Sequence, residues 1–439
     1  MRNSILLLLM CLSTVMWAQQ WNPVGVFPLV NGMNILADKQ NRIYVGGGFL
    51  NSNGHQYVAQ WNGNTWSELG GLDALAANGQ IRAMCLDNAG NLYVGGAFTN
   101  TSGQHYVAKY DGLTWSEVVG LNANGAINAL CCDKQNHLYA AGAFQNSGLS
   151  YVAHYNGSSW SALGGNTLAA NDYIFAVLAD SSGNIYTSGD FKNSQGSCYV
   201  AKWDGNNWSE TGGLNNLKAN AGITELCKDG NEHIYAAGAF TNDSNRRYVA
   251  MFNGSSWSAL GGNYSFPGYG GLIYALQSNA AGTIFAAGGF HNNNQRFVAQ
   301  YKNGVWSELG GVHSLGANNY IYGIGISPTQ DVYVTGAYTN LAGEFYVARY
   351  GAPTAVETTE NNLKIIMAPN PVNDLLQVQV PSTFHDYTLR IYNCFGQVLY
   401  HANANNAITW IPTNTLVPGM YFLSVEHANN KQSIPFTKN

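Results

Sequence analysis

Charge is what this sequence has least of. Only 10% of its 439 residues are Asp, Glu, Lys or Arg, and they balance to -5. No basic stripe is available for a nucleic-acid backbone, so nucleic acid is not an expected partner. Beyond the N-terminal segment there is no apolar run long enough for a membrane-spanning helix. Catalytic signatures are missing too: the chain has no nucleophile elbow, phosphate loop, Cys-x-x-Cys pair or His-Glu-x-x-His. The ten histidines are scattered. His55 and His105 fall in matching turns one residue out of step, without a companion ligand, so neither a metal nor a cofactor is expected.

Cysteines number seven, and Cys11 lies in the N-terminal apolar segment. Cys85, Cys131 and Cys227 occupy equivalent positions in separate repeats and should not meet at disulfide distance. Cys131 and Cys132 point to opposite strand faces, and Cys198 and Cys394 are isolated. Buried thiols are the expectation, with disulfides as the alternative.

What the chain has in abundance is repetition. The stretch Asn91-Leu92-Tyr93-Val94-Gly95-Gly96-Ala97-Phe98-Thr99-Asn100, continuing through Tyr106-Val107-Ala108 to Thr114-Trp115-Ser116, occurs seven times. Its aromatic anchor recurs as Phe49, Phe98, Phe144, Phe191, Phe240, Phe290 and Tyr338, at spacings of 46 to 50 residues. Such a period means a propeller or a solenoid. One copy reads as four short strands, Ile81 to Leu86, Asn91 to Phe98, Tyr106 to Tyr110 and Thr114 to Val118, which is a propeller blade. Glycines such as Gly95, Gly96, Gly142, Gly189, Gly238, Gly288 and Gly336 suggest close approach between neighbouring blades.

The last copy lacks the Trp-Ser strand after Tyr350-Gly351. A matching piece, Trp21-Asn22-Pro23-Val24-Gly25, stands alone at the other end. The expectation is an all-β, seven-bladed β-propeller over residues 19–351, closed by this N-terminal strand.

Asp38, Asp87, Asp133, Asp180 and Asp229 each lie six residues before a strand tyrosine, with Asn279 and Ser327 in the last two copies. A calcium ring is one reading; Asp, Asn and Ser bonding back to their own hairpin turns is the preferred one. The asparagine two residues after each anchor is expected to shape the next turn.

Met1 to Ala18 has a basic start and an apolar stretch ending at Ala18-Gln19, the pattern of a secretory signal peptide. A lipoprotein site at Cys11 is the weaker alternative, because Met10 rather than a small residue precedes it. Residues 352–362 are small and polar and read as a linker. Short strand-like runs follow from Leu375, Tyr387, Gln397 and Tyr421, and predict a small C-terminal β-sandwich over residues 363–439.

Two resemblances rest on these segments. Asp180-Ser181-Ser182-Gly183-Asn184-Ile185-Tyr186 and Trp61-Asn62-Gly63-Asn64-Thr65-Trp66 resemble bacterial extracellular β-propeller repeats, loosely kelch-like. Pro369-Asn370-Pro371, Leu389-Arg390-Ile391-Tyr392-Asn393, Gly396-Gln397-Val398, Pro418-Gly419-Met420-Tyr421 and the ending Lys438-Asn439 resemble the type A C-terminal sorting domain of the type IX secretion system in Bacteroidetes. That likeness implies the secretion machinery as a partner, passage across the outer membrane, and surface attachment or release. A monomer is expected.

Positions that differ between copies are where function is sought. One set is the inner-strand position read as Asn34, Arg82, Asn128, Phe175, Thr224, Tyr274 and Tyr322. The other is the blade-linking loops, richest at Tyr264, Phe266 and Tyr269, with His313 and Tyr320 in the next linker. Aromatic faces with amides in an uncharged setting suit a sugar, although the same rings could simply fill a crowded core. A non-enzymatic binder of a glycan or protein is the preferred reading. The alternative is a glycoside hydrolase, which would need a facing carboxylate pair drawn from Asp73, Asp172 and Glu225.

Overall fold

The structure, a computed structural model, describes residues 19–25, 32–165, 167–262, 266–340, 343–351, 365–381, 385–393, 397–427 and 430–439. The predicted signal peptide, the predicted linker, Cys11, Cys394 and Tyr264 lie outside the described residues. Two compact units divide the chain, Met1–Pro353 and Thr354–Asn439.

In the first unit the described residues form seven four-stranded antiparallel sheets. Each inner strand packs on the inner strand of the next sheet, and Gly32–Ala37 packs on both Ile81–Leu86 and Ile321–Ile326, so the ring closes. We number the blades one to seven by their inner strands, starting at Gly32, Ile81, Ile127, Ile174, Ile223, Ile273 and Ile321. Every second strand is buried along its whole length, as in Leu92–Gly96, because neighbouring blades cover both of its faces.

Blade seven is completed as its sequence predicts. Gln20–Pro23 pairs antiparallel with Ala348–Gly351, setting Trp21 opposite Tyr350. The tryptophans explain why this strand matters. Trp115 Nε1 donates to Leu69 O at 2.9 Å, and Trp160, Trp208 and Trp306 donate in the same way to the outer strand of the preceding blade. Trp21 Nε1 reaches Leu309 O at 3.1 Å and Trp66 Nε1 reaches Val24 O at 2.7 Å, so the N-terminal strand carries both links across the seam. Trp257 differs by donating to the Thr211 hydroxyl.

At the first hairpin of each blade the turn holds itself. Asp133 Oδ1 accepts the amides of Gln135 and His137, and its Oδ2 accepts the Tyr139 hydroxyl at 3.0 Å and lies 3.0 Å from His137 Nδ1. Blade seven moves its carboxylate four residues on. There Ser327 Oγ accepts the Asp331 amide, and Asp331 pairs with Arg349 at 2.9 Å. Asn51, Asn100, Asn193 and Asn242 accept the amides two and four residues later, which shapes the turn into the third strand, whereas Asn146 and Asn292 belong to short two-stranded hairpins, Gln145–Asn146 with Leu149–Ser150 and His291–Asn292 with Gln295–Arg296.

The glycines divide into two kinds, which corrects the interblade expectation. A Cβ on Gly95 would lie 2.7 Å from Ile127 of the next blade, as expected. On Gly96 it would lie 1.9 Å from Gln80 O of the same blade, and Gly142, Gly189, Gly238, Gly288 and Gly336 likewise face their own inner strand. The described cysteines are free thiols. Cys85 Sγ lies 3.5 Å from Cys132 Sγ of the next blade, one residue off the equivalent Cys131.

The second unit is a two-sheet sandwich. Ile366–Ala368, Leu375–Gln379 and Ile408–Pro412 form one sheet; Val398–Ala404, Tyr387–Asn393, Gly419–His427 and Asn430–Lys438 form the other. Alternating residues Leu376, Val378, Leu389, Ile391, Leu423 and Val425 bury between them, as strand periodicity dictates.

Candidate functional site

Each inner strand is bulged at its second residue, between Ile81 and Ala83 in blade two and between Ile223 and Glu225 in blade five. A bulge leaves that residue out of the ladder and re-aims its side chain. The bulged residues line the central channel, a cavity of about 400 Å³ whose wall includes Arg82, Asn128, Phe175, Thr224, Tyr274 and Tyr322. In blade one the register shift falls between Gly32 and Asn34. Met33 is therefore the equivalent of Arg82, and Asn34 stands one position further on, though it still lines the channel.

Hydrogen bonds between blades fix part of this wall. Arg82 Nη1 donates to Asn128 Oδ1 at 3.3 Å, Asn128 Nδ2 to Ile174 O at 3.1 Å, and Thr224 Oγ1 to Ile273 O at 2.9 Å. Blades six and seven contribute a tyrosine cluster. The Tyr274 ring is 5.4 Å from Tyr322 and 6.1 Å from Tyr320, and Tyr320 is 6.2 Å from Tyr322. Arg296 lies over the Tyr320 ring at 5.4 Å. Tyr320 remains 38% exposed. Burial pushes the Tyr274 and Tyr322 hydroxyls above the ordinary tyrosine value.

The linker residues are split rather than gathered. Tyr269 is 58% exposed with Arg246 over its ring at 4.8 Å. Phe266 is not a surface residue: it is 4% exposed and packs on Phe290 at 4.9 Å and Trp306 at 5.1 Å. It occupies the linker position held by Leu75, Leu121, Leu168 and Leu217 in other blades, all buried, so its ring is core. Aligning the linkers on those leucines carries this signal. His313 does not line the channel. Its backbone is left-handed at φ 57, and its amide donates to Glu308 Oε2 at 2.7 Å, as Asp73 and Asn215 donate to Glu68 and Glu210.

The three carboxylates considered for hydrolysis do not converge. Asp73 is held by Asn51 and His55, each at 2.8 Å, and by Asn53. Those hydrogen bonds, Asn53's first, lower its carboxyl to about 2. Asp172 is exposed and caps the Tyr173 amide. Glu225 alone lines the channel, where burial pushes its carboxyl up to about 8.

Asp190 escaped the sequence reading. It follows Gly189 where other copies have Gly48, Ala97, Ala143, Ala239, Gly289 and Ala337. Burial, then the nearby Asp172, raises its carboxyl above the ordinary range. Among the described residues no group of three His, Cys, Asp or Glu is arranged to hold a metal, and no helix is long and apolar enough to cross a membrane.

Comparison with known proteins separates the two units. Residues 28–178 match the Rax2 C-terminal beta propeller domain. No curated protein matches the chain. Solved structures similar to it include PorZ, a bacterial surface component of the type-IX secretion system of Porphyromonas gingivalis, with 12% identity over 94% of this chain and 66% of that one, TM-score 0.43. The extracellular domain of BT4673 from B. thetaiotaomicron has 13% identity over 96% of this chain and 59% of that one, TM-score 0.51. The GH74 enzyme of Niastella koreensis has 16% identity over 94% and 74%, TM-score 0.53. The chain thus spans less than two thirds of the first two, and the latter two likenesses speak to the fold alone. Residues 367–437 match the secretion system C-terminal sorting domain. The chain is a β-propeller protein bearing a type IX secretion C-terminal sorting domain, and that domain directs it to the cell surface or beyond.

Proposed function

We propose that the exported propeller is a non-enzymatic carbohydrate-binding protein and that the sugar sits at the tyrosine-lined part of the channel. The observation that carries this reading is the Tyr274, Tyr320 and Tyr322 cluster, with two rings on the cavity wall and the third exposed beside them. Ring faces stack on the apolar faces of a sugar, while Asn34 and Gln277 on the same wall supply amides for its hydroxyls. In this reading residues 1–18 serve as signal peptide, residues 352–362 as linker, and residues 363–439 as the segment that the secretion machinery engages.

A polysaccharide-acting enzyme is the second reading, favoured by Asp172 and Asp190 lying near enough for one to perturb the other. A glycan-array screen of the secreted protein, with product analysis of every hit, tests both. Binding without released sugar, weakened by about tenfold in Tyr274→Ala with Tyr320→Ala, is the expected result. Released sugar would establish the enzyme instead, and an array without hits would turn the search to a protein ligand.

A further inference from the structure

One group on the channel wall is unlike its neighbours. At the first paired position after the bulge, the blades carry Asn34, Ala83, Ala129, Ala176, Glu225, Ala275 and Gly323. Five of these are small, one is an amide, and one is a carboxyl. Glu225 shares the cavity with Tyr274 and Tyr322, and Thr224 beside it is tied to the carbonyl of Ile273, next to Tyr274. No hydrogen bond or ion pair to the Glu225 carboxyl exists among the described residues.

Arg82 is the one cation among the described residues lining the cavity. It sits on blade two and donates to Asn128. The titratable side chains on Glu225's own strand and on the strands packed against it are Cys227, Lys228, Tyr186, Tyr235 and Tyr274. Lys228 pairs with Glu232, and the Tyr186 and Tyr235 hydroxyls bond Asp180 and Asp229.

A ligand carrying only hydroxyls would be served as well by an amide, and the wall already holds three. An amide carries no charge, whereas the half-buried Glu225 carboxyl has no protein partner and burial disfavours its ionised form in the free protein. A cationic partner turns that cost into a gain. A protonated amine would form a charge-assisted hydrogen bond with the carboxyl, and the tyrosine faces beside it attract the same charge.

We propose that Glu225, together with Tyr274 and Tyr322, forms an amine-recognition subsite in the channel, selecting sugars with a free amino group over their N-acetylated or neutral counterparts. This rests on the carbohydrate-binding reading and narrows it.

The test is isothermal titration of the full secreted chain with a glucosamine tetramer, an N-acetylglucosamine tetramer, a glucose tetramer and, as a sugar-free amine, spermidine. The glucosamine tetramer is expected to bind at least about tenfold tighter than the other two sugars, the scale of one charge-assisted hydrogen bond. Glu225→Gln should erase that preference while leaving the weaker sugars within about twofold. Glu225→Ala installs the residue that four sister blades carry there, so it controls for folding.

Equal, tyrosine-dependent binding of all three sugars would overturn the amine subsite and leave carbohydrate binding standing. Glu225-dependent spermidine binding without any sugar binding would do the reverse. An amine preference that survives Glu225→Gln would place recognition elsewhere and sink the proposal.

Discussion

A single inner strand carries two regions that behave in opposite ways. At its end, the hairpin carboxylates Asp38, Asp87, Asp133, Asp180 and Asp229 are nearly identical from blade to blade, buried, and consumed by amides and a tyrosine of their own turn. A few residues earlier, facing the channel, the bulged residues share almost nothing, and Glu225 stands where four copies have alanine and is held by no neighbour. Satisfied groups build the ring, and unsatisfied ones are left for something outside it. Repetition therefore marks architecture and deviation marks function, a rule that perturbation at either region can break.

The largest effect should come from the seam, where the architectural rule is strongest. Removing residues 19–25 takes away the outer strand of blade seven, the Trp21 link to Leu309 and the acceptor of Trp66. It also leaves the Ala348–Gly351 edge unpaired. Calorimetry should show the propeller transition lowered by about 5 °C or more, equivalent to several kcal/mol for a domain this size. An unchanged transition would mean that the ring does not need its seam.

Next in size is the turn. Asp133→Ala leaves two amides and the buried Tyr139 hydroxyl without their acceptor. About 2–3 kcal/mol of stability should be lost in chemical denaturation, with sugar affinity unchanged. A change in affinity would blur the line between the two regions. On the channel side the signs reverse. Tyr274→Ala with Tyr320→Ala should weaken carbohydrate binding by about tenfold, roughly 1.4 kcal/mol, in the same titrations, while the melting temperature moves little.

Most of the architecture was legible because each feature is stated seven times. The 46 to 50 residue period, the orphan Trp21 strand and the Asp turns each follow from local chemistry that the alignment of copies repeats. The site was less legible, for three physical reasons. Burial of Phe266 depends on a linker position set by leucines in the other copies, so an aromatic there looked like a ligand contact. The bulge shifts register by one residue, which put Asn34 in the place that belongs to Met33. Asp190 follows the strand-end glycine, outside both sets of positions that were compared, and only packing brings it near Asp172.

The smallest effect, and the finest test of the contrast, is the pH dependence contributed by Glu225. Burial raises its carboxyl from an ordinary 4.5 to about 8 in the folded chain. Between those values the folded state holds a proton that the unfolded state has released, so the slope of stability against pH is negative there. The contribution is fully present below pH 4.5 and is lost as pH rises towards 8. Because the group is only half-buried, solvent reduces the effect to about 1 kcal/mol over that range. Glu225→Gln removes the titration, so its stability should fall less than the wild type's between pH 5 and 8, measured by urea unfolding at a series of pH values. Parallel profiles for wild type and Glu225→Gln would show that the channel carboxyl is as well satisfied as the turn carboxylates, and would remove the distinction on which the amine subsite rests.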